Sequence, residues 1–254
     1  MTLHLTTGFP SLDACLGGGL RREDLIVLGG ESGVGCSALA VGIALRVAQQ
    51  GTSVAVLSTE MSPTRLAERA LAQAARATLD ELAGTSLDDQ RRADIASVAL
   101  QLRSWPLAFH TQPAEGWSPE LADVADGADM IVVDALEGLY WGRHRRVEAA
   151  AAWVLACKRA AIARGVPIIL VRHAAAIDGV PRGTRPTLDL LGDLGVREQA
   201  DIVVGLHRED LMRPDPAVAG SAEVLVLKDR FGALGSVDLW FEPTWARFED
   251  LAEA

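Results

Sequence analysis

The residues best suited to chemistry lie in one short run, Gly30-Glu31-Ser32-Gly33-Val34-Gly35-Cys36-Ser37. They fit the fixed positions of GxxxxGK[ST], a loop that opens a helix around phosphates, except that the lysine is missing. Glycines let the backbone wrap close to phosphates. Amides at the helix start, with the helix dipole, favour a di- or triphosphate without any side chain. Ser37 would supply a hydroxyl to magnesium. A glycine-rich turn with no ligand has the same composition, so context decides between the two readings. Cys36 stands where the lysine would contact the β and γ phosphates, a charge-assisted hydrogen bond worth about 1.5–3 kcal/mol. The chain's lysines are Lys158 and Lys228. The alternatives for that contact are therefore Arg65 and Arg69, which follow the second strand. A thiol at a helix N-terminus can also be acidic and redox-active, but bound phosphate opposes a thiolate.

Positioning such a loop requires a strand before it and a helix after it. Leu25–Leu28 reads as the strand, and Ser37–Gln50 as the helix, with apolar residues at Leu39, Val41, Ile43, Leu45 and Val47. Ser53–Ser58 is a second strand. Ser62 caps a helix through about Ala75, with Pro63 at its first position. Further helices are expected over about Asp89–Leu102 and Val147–Ala163. Strands recur at Leu107–His110, Met130–Asp134, Ile168–Val171, Ile202–Leu206, Glu223–Lys228 and Val237–Phe241. This alternation is the sequence form of a mostly parallel sheet covered by helices, closing in antiparallel hairpins where the helices stop. Pro181–Pro186 and Pro214–Gly220 are loop candidates, and neither looks like a domain boundary.

At 254 residues, length favours a single α/β domain over 1–254. Hydrophobic content is 49% and mean hydropathy +0.18. Even so, the apolar runs fall far short of the roughly 18–20 residues that span a membrane. No secretory signal is visible near Met1, and a cytoplasmic location is expected. Cys15, Cys36 and Cys157 form no CxxC pair, which argues against a zinc site or a disulfide framework. With a formal net charge of −10, the whole molecule does not attract a polyphosphate backbone, so any nucleic acid must be gripped by local patches.

Taken with the segments around it, the loop resembles the RecA-like ATPase domain of the DnaB-type replicative helicase family over nearly the whole chain. Thr7-Gly8-Phe9-Pro10-Ser11-Leu12-Asp13 is similar to that family's TGFxxLD opening, and Leu57-Ser58-Thr59-Glu60-Met61-Ser62 to its SLEMS segment. Met130–Asp134 resembles the Walker B strand, and Glu198-Gln199-Ala200-Asp201-Ile202-Val203 the EQDADIV segment with one residue fewer. Lys228-Asp229-Arg230-Phe231-Gly232 corresponds to KxRxG, and Phe241–Leu251 also fits. Glycines 17–19 with Leu20, and Lys228–Gly232, also resemble RadA-type and KaiC-type relatives of the same superfamily.

The resemblance implies a RecA-like P-loop NTPase fold that binds ATP or ADP with Mg2+. It implies that Glu60 activates the attacking water, that Asp134 holds magnesium through water with Ser37, and that Arg69 matches a family arginine. Lys228 and Arg230 would reach a neighbouring subunit's γ phosphate. His173 stands where the helicases carry a γ-phosphate-sensing glutamine, so hydrolysis is expected to be impaired at two positions. Loops carrying Arg143, His144, Arg145 and Arg146, then Arg182 and Arg185, would face single-stranded DNA. The chain opens almost directly on the TGF segment, so ring formation is expected to be weakened or borrowed from a partner. Two functions follow: a DnaB-like NTPase of DNA replication or a related DNA transaction, forming a homo-oligomer, or a pseudo-ATPase that assembles with an active helicase. A RadA-like or KaiC-like ATPase is the third reading. Taken singly, Glu60 would be a strand-end carboxylate, Asp134 a helix cap, and Lys228 with Arg230 a solvated strand face.

Overall fold

The structure, a computed structural model, describes residues 4–84, 87–111, 125–140, 146–174, 181–193, 195–211 and 215–251. The first half runs β1 (His4–Leu5), α1 (Pro10–Cys15), β2 (Leu20–Arg21), β3 (Leu25–Glu31), α2 (Cys36–Gln49), β4 (Val54–Ser58), α3 (Pro63–Ala75), α4 (Leu79–Leu82), α5 (Asp89–Ser104) and β5 (Leu107–Thr111). The second half runs β6 (Met130–Asp134), α6 (Leu136–Tyr140), α7 (Arg146–Arg164), β7 (Ile168–Ala174), α8 (Leu188–Leu191), α9 (Val196–Gln199), β8 (Ile202–His207), β9 (Ser221–Asp229), β10 (Gly235–Glu242) and β11 (Arg247–Asp250).

Nine of these strands form one sheet in the order β11-β10-β9-β8-β3-β7-β6-β4-β5. The pairs from β8 to β5 are parallel, and those from β8 through β9 and β10 to β11 are antiparallel. The order of apolar runs predicts this mostly parallel sheet closing in antiparallel strands, and the family resemblance implies its RecA-like arrangement. Helices cover both faces. Ile26 and Leu28 share one core with Leu39, Ile43 and Val47 of α2, whereas Leu25 and Val27 share the opposite core with Trp153, Val154 and Cys157 of α7. Alternate residues of a strand point to opposite faces, so a run buried throughout needs both layers. Each fully buried Leu, Ile or Val contributes about 1.5–3 kcal/mol.

Local signals act as expected at several ends. Ser62 accepts the Arg65 N–H at 3.3 Å, and Pro63 takes the first turn of α3. Helix α2 starts at Cys36, one residue before the sequence reading, because Gly35 just ahead of it is left-handed at φ 108°. The strands β1, β2 and β11 and the short helices α1, α4, α6, α8 and α9 are additional. β11 shows only a four-residue alternation, with Phe248 and Asp250 buried, among charged neighbours. Among the described residues no helix is long and apolar enough to cross a membrane.

The end of the sheet where β3 and β8 begin is held by ions. Asp201, 1% exposed, accepts the Leu25 N–H at 2.9 Å and the Lys158 ammonium at 2.6 Å. Arg21 reaches Asp229 at 2.9 Å and lies 3.8 Å from Asp24. Asp24 is buried, and one of its oxygens has no hydrogen-bond partner. Burial and the neighbouring Asp201 carboxylate raise its pKa to about 6 against the attraction of Arg21 and Lys158, with Asp229 adding to the rise. The folded chain therefore holds this proton more tightly than the unfolded chain does. Its stabilising contribution is complete below about pH 4 and is lost as pH rises through about 6. Asp24→Asn should accordingly stabilise the fold at pH 7 by up to about 2–3 kcal/mol. That gain should vanish near pH 4, as read from urea midpoints at the two pH values. An equal gain at both would sink this assignment.

Candidate functional site

The parallel strands β3, β4, β6 and β7 end on one edge of the sheet, where doubly wound α/β proteins bind ligands. In-register pairing sets Gly30 beside His173 and Ser58 beside Asp134. The loop after β3 turns tightly into α2. A Cβ on Gly30 would lie 2.7 Å from the Leu206 carbonyl oxygen, and one on Gly35 would meet the Phe248 ring at 3.0 Å on a left-handed backbone. These two positions require glycine.

Ser37 Oγ donates to Asp134 Oδ1 at 2.8 Å. The first turn of α2 is thereby tied to the end of β6. Asp134 is buried, which raises its pKa, while the Ser37 hydroxyl opposes the rise. A cavity of about 450 Å³ opens over these residues, lined by Gly33, Cys36, Ser37, Glu60, Arg69 and His173 on one side. Phe241, Pro243 and Trp245, around the β10–β11 turn, form another wall. Cys36 is 2% exposed. Burial, and next the Asp134 carboxylate, push its thiol well above the ordinary range, so it stays a neutral thiol. That environment opposes the acidic, redox-active alternative for this cysteine.

Glu60 is exposed at the cavity, and its position is fixed by neighbours that carry no sequence signal of their own. Ser58 Oγ accepts the N–H groups of Glu60 and Met61 at 3.2 and 2.9 Å. Thr59 Oγ1 accepts the Ala135 N–H and donates to the Ala135 carbonyl, each at 3.0 Å, which locks the Glu60 turn to the end of β6. A Cβ on Gly138 would collide with Thr59 Oγ1. Glu137 is half-buried, and burial raises its pKa while backbone N–H groups, its own first and then that of His173, oppose the rise. His173 itself lines the cavity with Nδ1 buried and without a hydrogen-bond partner.

Glu31 points toward the loop after β7. Its Oε2 accepts the Gly183 N–H at 2.6 Å, and Arg182 Nε lies 3.9 Å from Oε1. Arg185 is engaged with Glu223, through Nε at 2.6 Å and a second, shorter contact. Of the two arginines in this loop, Arg182 is thus the more accessible, at 86% side-chain exposure. Arg143, His144 and Arg145 lie outside the described residues, as does the side chain of Arg146, whose backbone opens α7.

Lys228 and Arg230 do not join this cavity. Because β9 runs antiparallel to β8, with Asp229 opposite Ile202, the pair sits where β8 and β3 begin. That is roughly 15 Å along the strands from Gly30, taking ~3.3 Å per residue. Lys228 Nζ donates to the carbonyls of Arg197, at 2.7 Å, and Ala200, at the end of α9. Burial and the neighbouring Arg230 lower its pKa. Arg230 donates to the Glu198 carbonyl at 3.0 Å, and its Nε lies 3.4 Å from Asp201, with its side chain 43% exposed.

Among the described residues no group of three or more His, Cys, Asp or Glu side chains is arranged to hold a metal ion. The Ser37–Asp134 pair nevertheless suits magnesium, which keeps several waters and takes one or two carboxylates plus substrate phosphates.

The sequence matches the family model described as the DnaB-like helicase C terminal domain over residues 4–250. The chain is 26% identical over 265 residues to the probable plasmid replicative DNA helicase of Chlamydia psittaci, covering 98% of this chain and 56% of that protein. It is 29% identical over 258 residues to the replicative DNA helicase DnaB of Geobacillus stearothermophilus, covering 97% and 56%. The chain thus spans just over half the length of these relatives. Among solved structures, the fold superposes on a DnaB-like replicative helicase whose interactions with primase were described, with a TM-score of 0.88 at 19% identity, covering 98% of this chain and 62% of that one. The RadB recombinase gives a TM-score of 0.60 at 20% identity, covering 97% and 99%. On the family match and the architecture together, the chain belongs to the DnaB-like helicase C-terminal domain family and has its RecA-like fold.

Proposed function

We propose that the chain is one nucleotide-binding domain of the DnaB-like helicase family acting in DNA replication or a related DNA transaction, and that it holds ATP or ADP with Mg2+ but hydrolyses poorly. The observation that carries this reading is the Ser37–Asp134 hydrogen bond beneath a glycine-rich loop that faces a cavity of about 450 Å³. In it, the amides of residues 33–37 bind phosphate oxygens. Ser37 offers its hydroxyl and Asp134 its carboxylate to magnesium or its waters. The ion, when bound, neutralises charge on the β and γ phosphates. Glu60, with no described hydrogen-bond partner for its carboxylate, orients water at the cavity rim. Phe241, Pro243 and Trp245 supply an apolar wall beside the loop.

Two departures weaken hydrolysis. Cys36 offers neither the charge nor the reach of a lysine, and His173 replaces the sensing glutamine. Lys228 and Arg230, remote from the chain's own cavity, are suited to act on a neighbour's nucleotide. That arrangement favours a second reading, in which the chain is a pseudo-ATPase that assembles with an active helicase or with copies of itself. Contact with single-stranded DNA through Arg182 belongs to either reading; Arg185 would first have to leave Glu223.

Cys36→Lys tests the site. Restoring the charge-assisted bond should tighten Mg-ATP binding by about 1.5–3 kcal/mol, or roughly tenfold to a hundredfold. Calorimetric titration of both proteins measures this. Absence of binding by either protein at millimolar nucleotide would reject the nucleotide-site reading.

A further inference from the structure

We propose that the cavity where the ends of α2 and α3 meet β11 is a second ligand site, which takes a small phosphate-type oxyanion on Arg46, Arg76 and Arg247. It is separate from the phosphate loop. That loop opens α2 at Cys36, whereas this cavity takes Arg46 and Gln49 from the other end of the helix, roughly 20 Å away at ~1.5 Å per residue. The inference does not depend on nucleotide binding. The cavity holds about 430 Å³, room enough for a small ligand. Among the described residues that line it, three carry guanidinium groups and one, Glu249, a carboxylate. This local surplus of positive charge stands in a chain whose formal net charge is −10. The helix ends of α2 and α3 offset only about half a charge each, so positive charge remains. Guanidinium stays protonated at any working pH and matches phosphate oxygens bidentately.

Structural need accounts for two of the three arginines. Arg46 Nη2 donates to the Phe248 carbonyl and to Glu249 Oε2, each at 2.9 Å, and its guanidinium lies 4.0 Å from the centre of the Phe9 ring. Arg247 donates to Glu249 through Nε at 2.5 Å and to the Gln73 carbonyl through Nη1 at 2.7 Å. Those contacts already tie β11 to α2 and α3. Arg76 adds one contact, from Nη2 to Glu249 Oε1 at 2.9 Å, with its side chain 59% exposed. A carboxylate has about four lone-pair sites, and the three arginines fill them. Arg76 also ends α3 in the left-handed region, at φ 50°, where glycine fits without strain. Burial would raise the Glu249 pKa, but Arg247, then Arg46 and Arg76, hold it below the ordinary range, so the cluster stays charged and assembled without a ligand. An exposed arginine kept at a glycine position, with donors unused among the described residues, is placed to take an anion at the mouth of this cavity.

Inorganic phosphate is the probe, followed on the full chain by calorimetry and by thermal melts in which phosphate replaces chloride at constant ionic strength. Ser37→Glu sets a carboxylate in the phosphate loop and so keeps phosphate out of the nucleotide cavity. One phosphate site should remain in that variant. Adding Arg76→Gly should weaken the remaining site roughly tenfold or more. It should also remove most of the phosphate-dependent rise in melting midpoint, while the midpoint in chloride stays near its starting value. The same comparison in the otherwise wild-type chain covers the case in which Ser37→Glu does not fold: there Arg76→Gly should reduce the phosphate-dependent rise. A rise that Arg76→Gly keeps in full would overturn the inference, as would a folded Ser37→Glu chain that binds no phosphate at millimolar concentration. A loss of stability from Arg76→Gly that is equal in chloride and in phosphate would also overturn it, and would mark Arg76 as a structural tie to Glu249 alone. None of these outcomes bears on the nucleotide site.

Discussion

Added to an active DnaB-type helicase whose own trans-acting arginine has been removed, the wild-type chain is expected to restore ATP turnover, and its Arg230→Ala variant is not. An arginine supplied to a neighbour's phosphoryl transfer is worth on the order of 10³–10⁵ in rate. The difference between the two mixtures at saturating chain should therefore be the largest effect of any single substitution considered for this protein. Position is the first argument. Arg230 lies at the start of β8 and β3, the opposite end of the sheet from Gly30–Ser37, so it cannot serve its own cavity. Availability is the second. Its side chain is 43% exposed, and its ties, one carbonyl at 3.0 Å and one carboxylate at 3.4 Å, orient it while leaving donors free.

Lys228 is a poorer probe. Its ammonium is committed to the carbonyls at the end of α9, and removing it would loosen that helix as well as any contact in trans. Arg230→Ala separates function from folding more cleanly, because main-chain pairing of Arg230 N–H with the Asp201 carbonyl at 2.9 Å survives the change. Equal turnover in the two mixtures, measured by phosphate release, or failure of the chain to associate, would reduce the pair to a structural feature of β9 and α9.

Much of this arrangement was legible in the sequence, and the reasons are local. Glycine spacing between an apolar strand and a helix located Gly30–Ser37. Ser62 and Pro63 marked the start of α3, and the order of apolar runs carried the parallel-to-antiparallel change in the sheet. What was not legible depends on contacts between distant segments. Thr59 matters because it meets Ala135, 76 positions away. Arg65 and Arg69 are alike in composition and exposure, and only the packing of α3 on α2 decides which faces the cavity. Glu31 carried no signal beyond its place in the loop, yet it holds Gly183 at 2.6 Å. Asp201 looked like part of a family segment, but it is the buried anchor of Leu25, Lys158 and Arg230.

The second large effect concerns the chain's own site, where binding and turnover are expected to come apart. On the proposed reading, the loop amides, Ser37 and Asp134 hold the nucleotide and its magnesium. The side chain that would follow the γ phosphate from the loop itself is instead a buried neutral thiol. His173, which the resemblance sets in place of the sensing glutamine, has no hydrogen-bond partner for its Nδ1. Interactions that strengthen only in the transition state raise the rate, whereas uniform ground-state contacts do not. On the proposed reading, the site retains the second kind and has lost the first.

The most direct measurement is therefore Mg-ATP occupancy and phosphate release on the same sample of pure chain, with and without single-stranded DNA. The expected result is saturable binding of one nucleotide per chain, with release indistinguishable from background in both conditions. Turnover on the order of one per second or faster, typical of competent enzymes, or no occupancy at millimolar Mg-ATP, would contradict it.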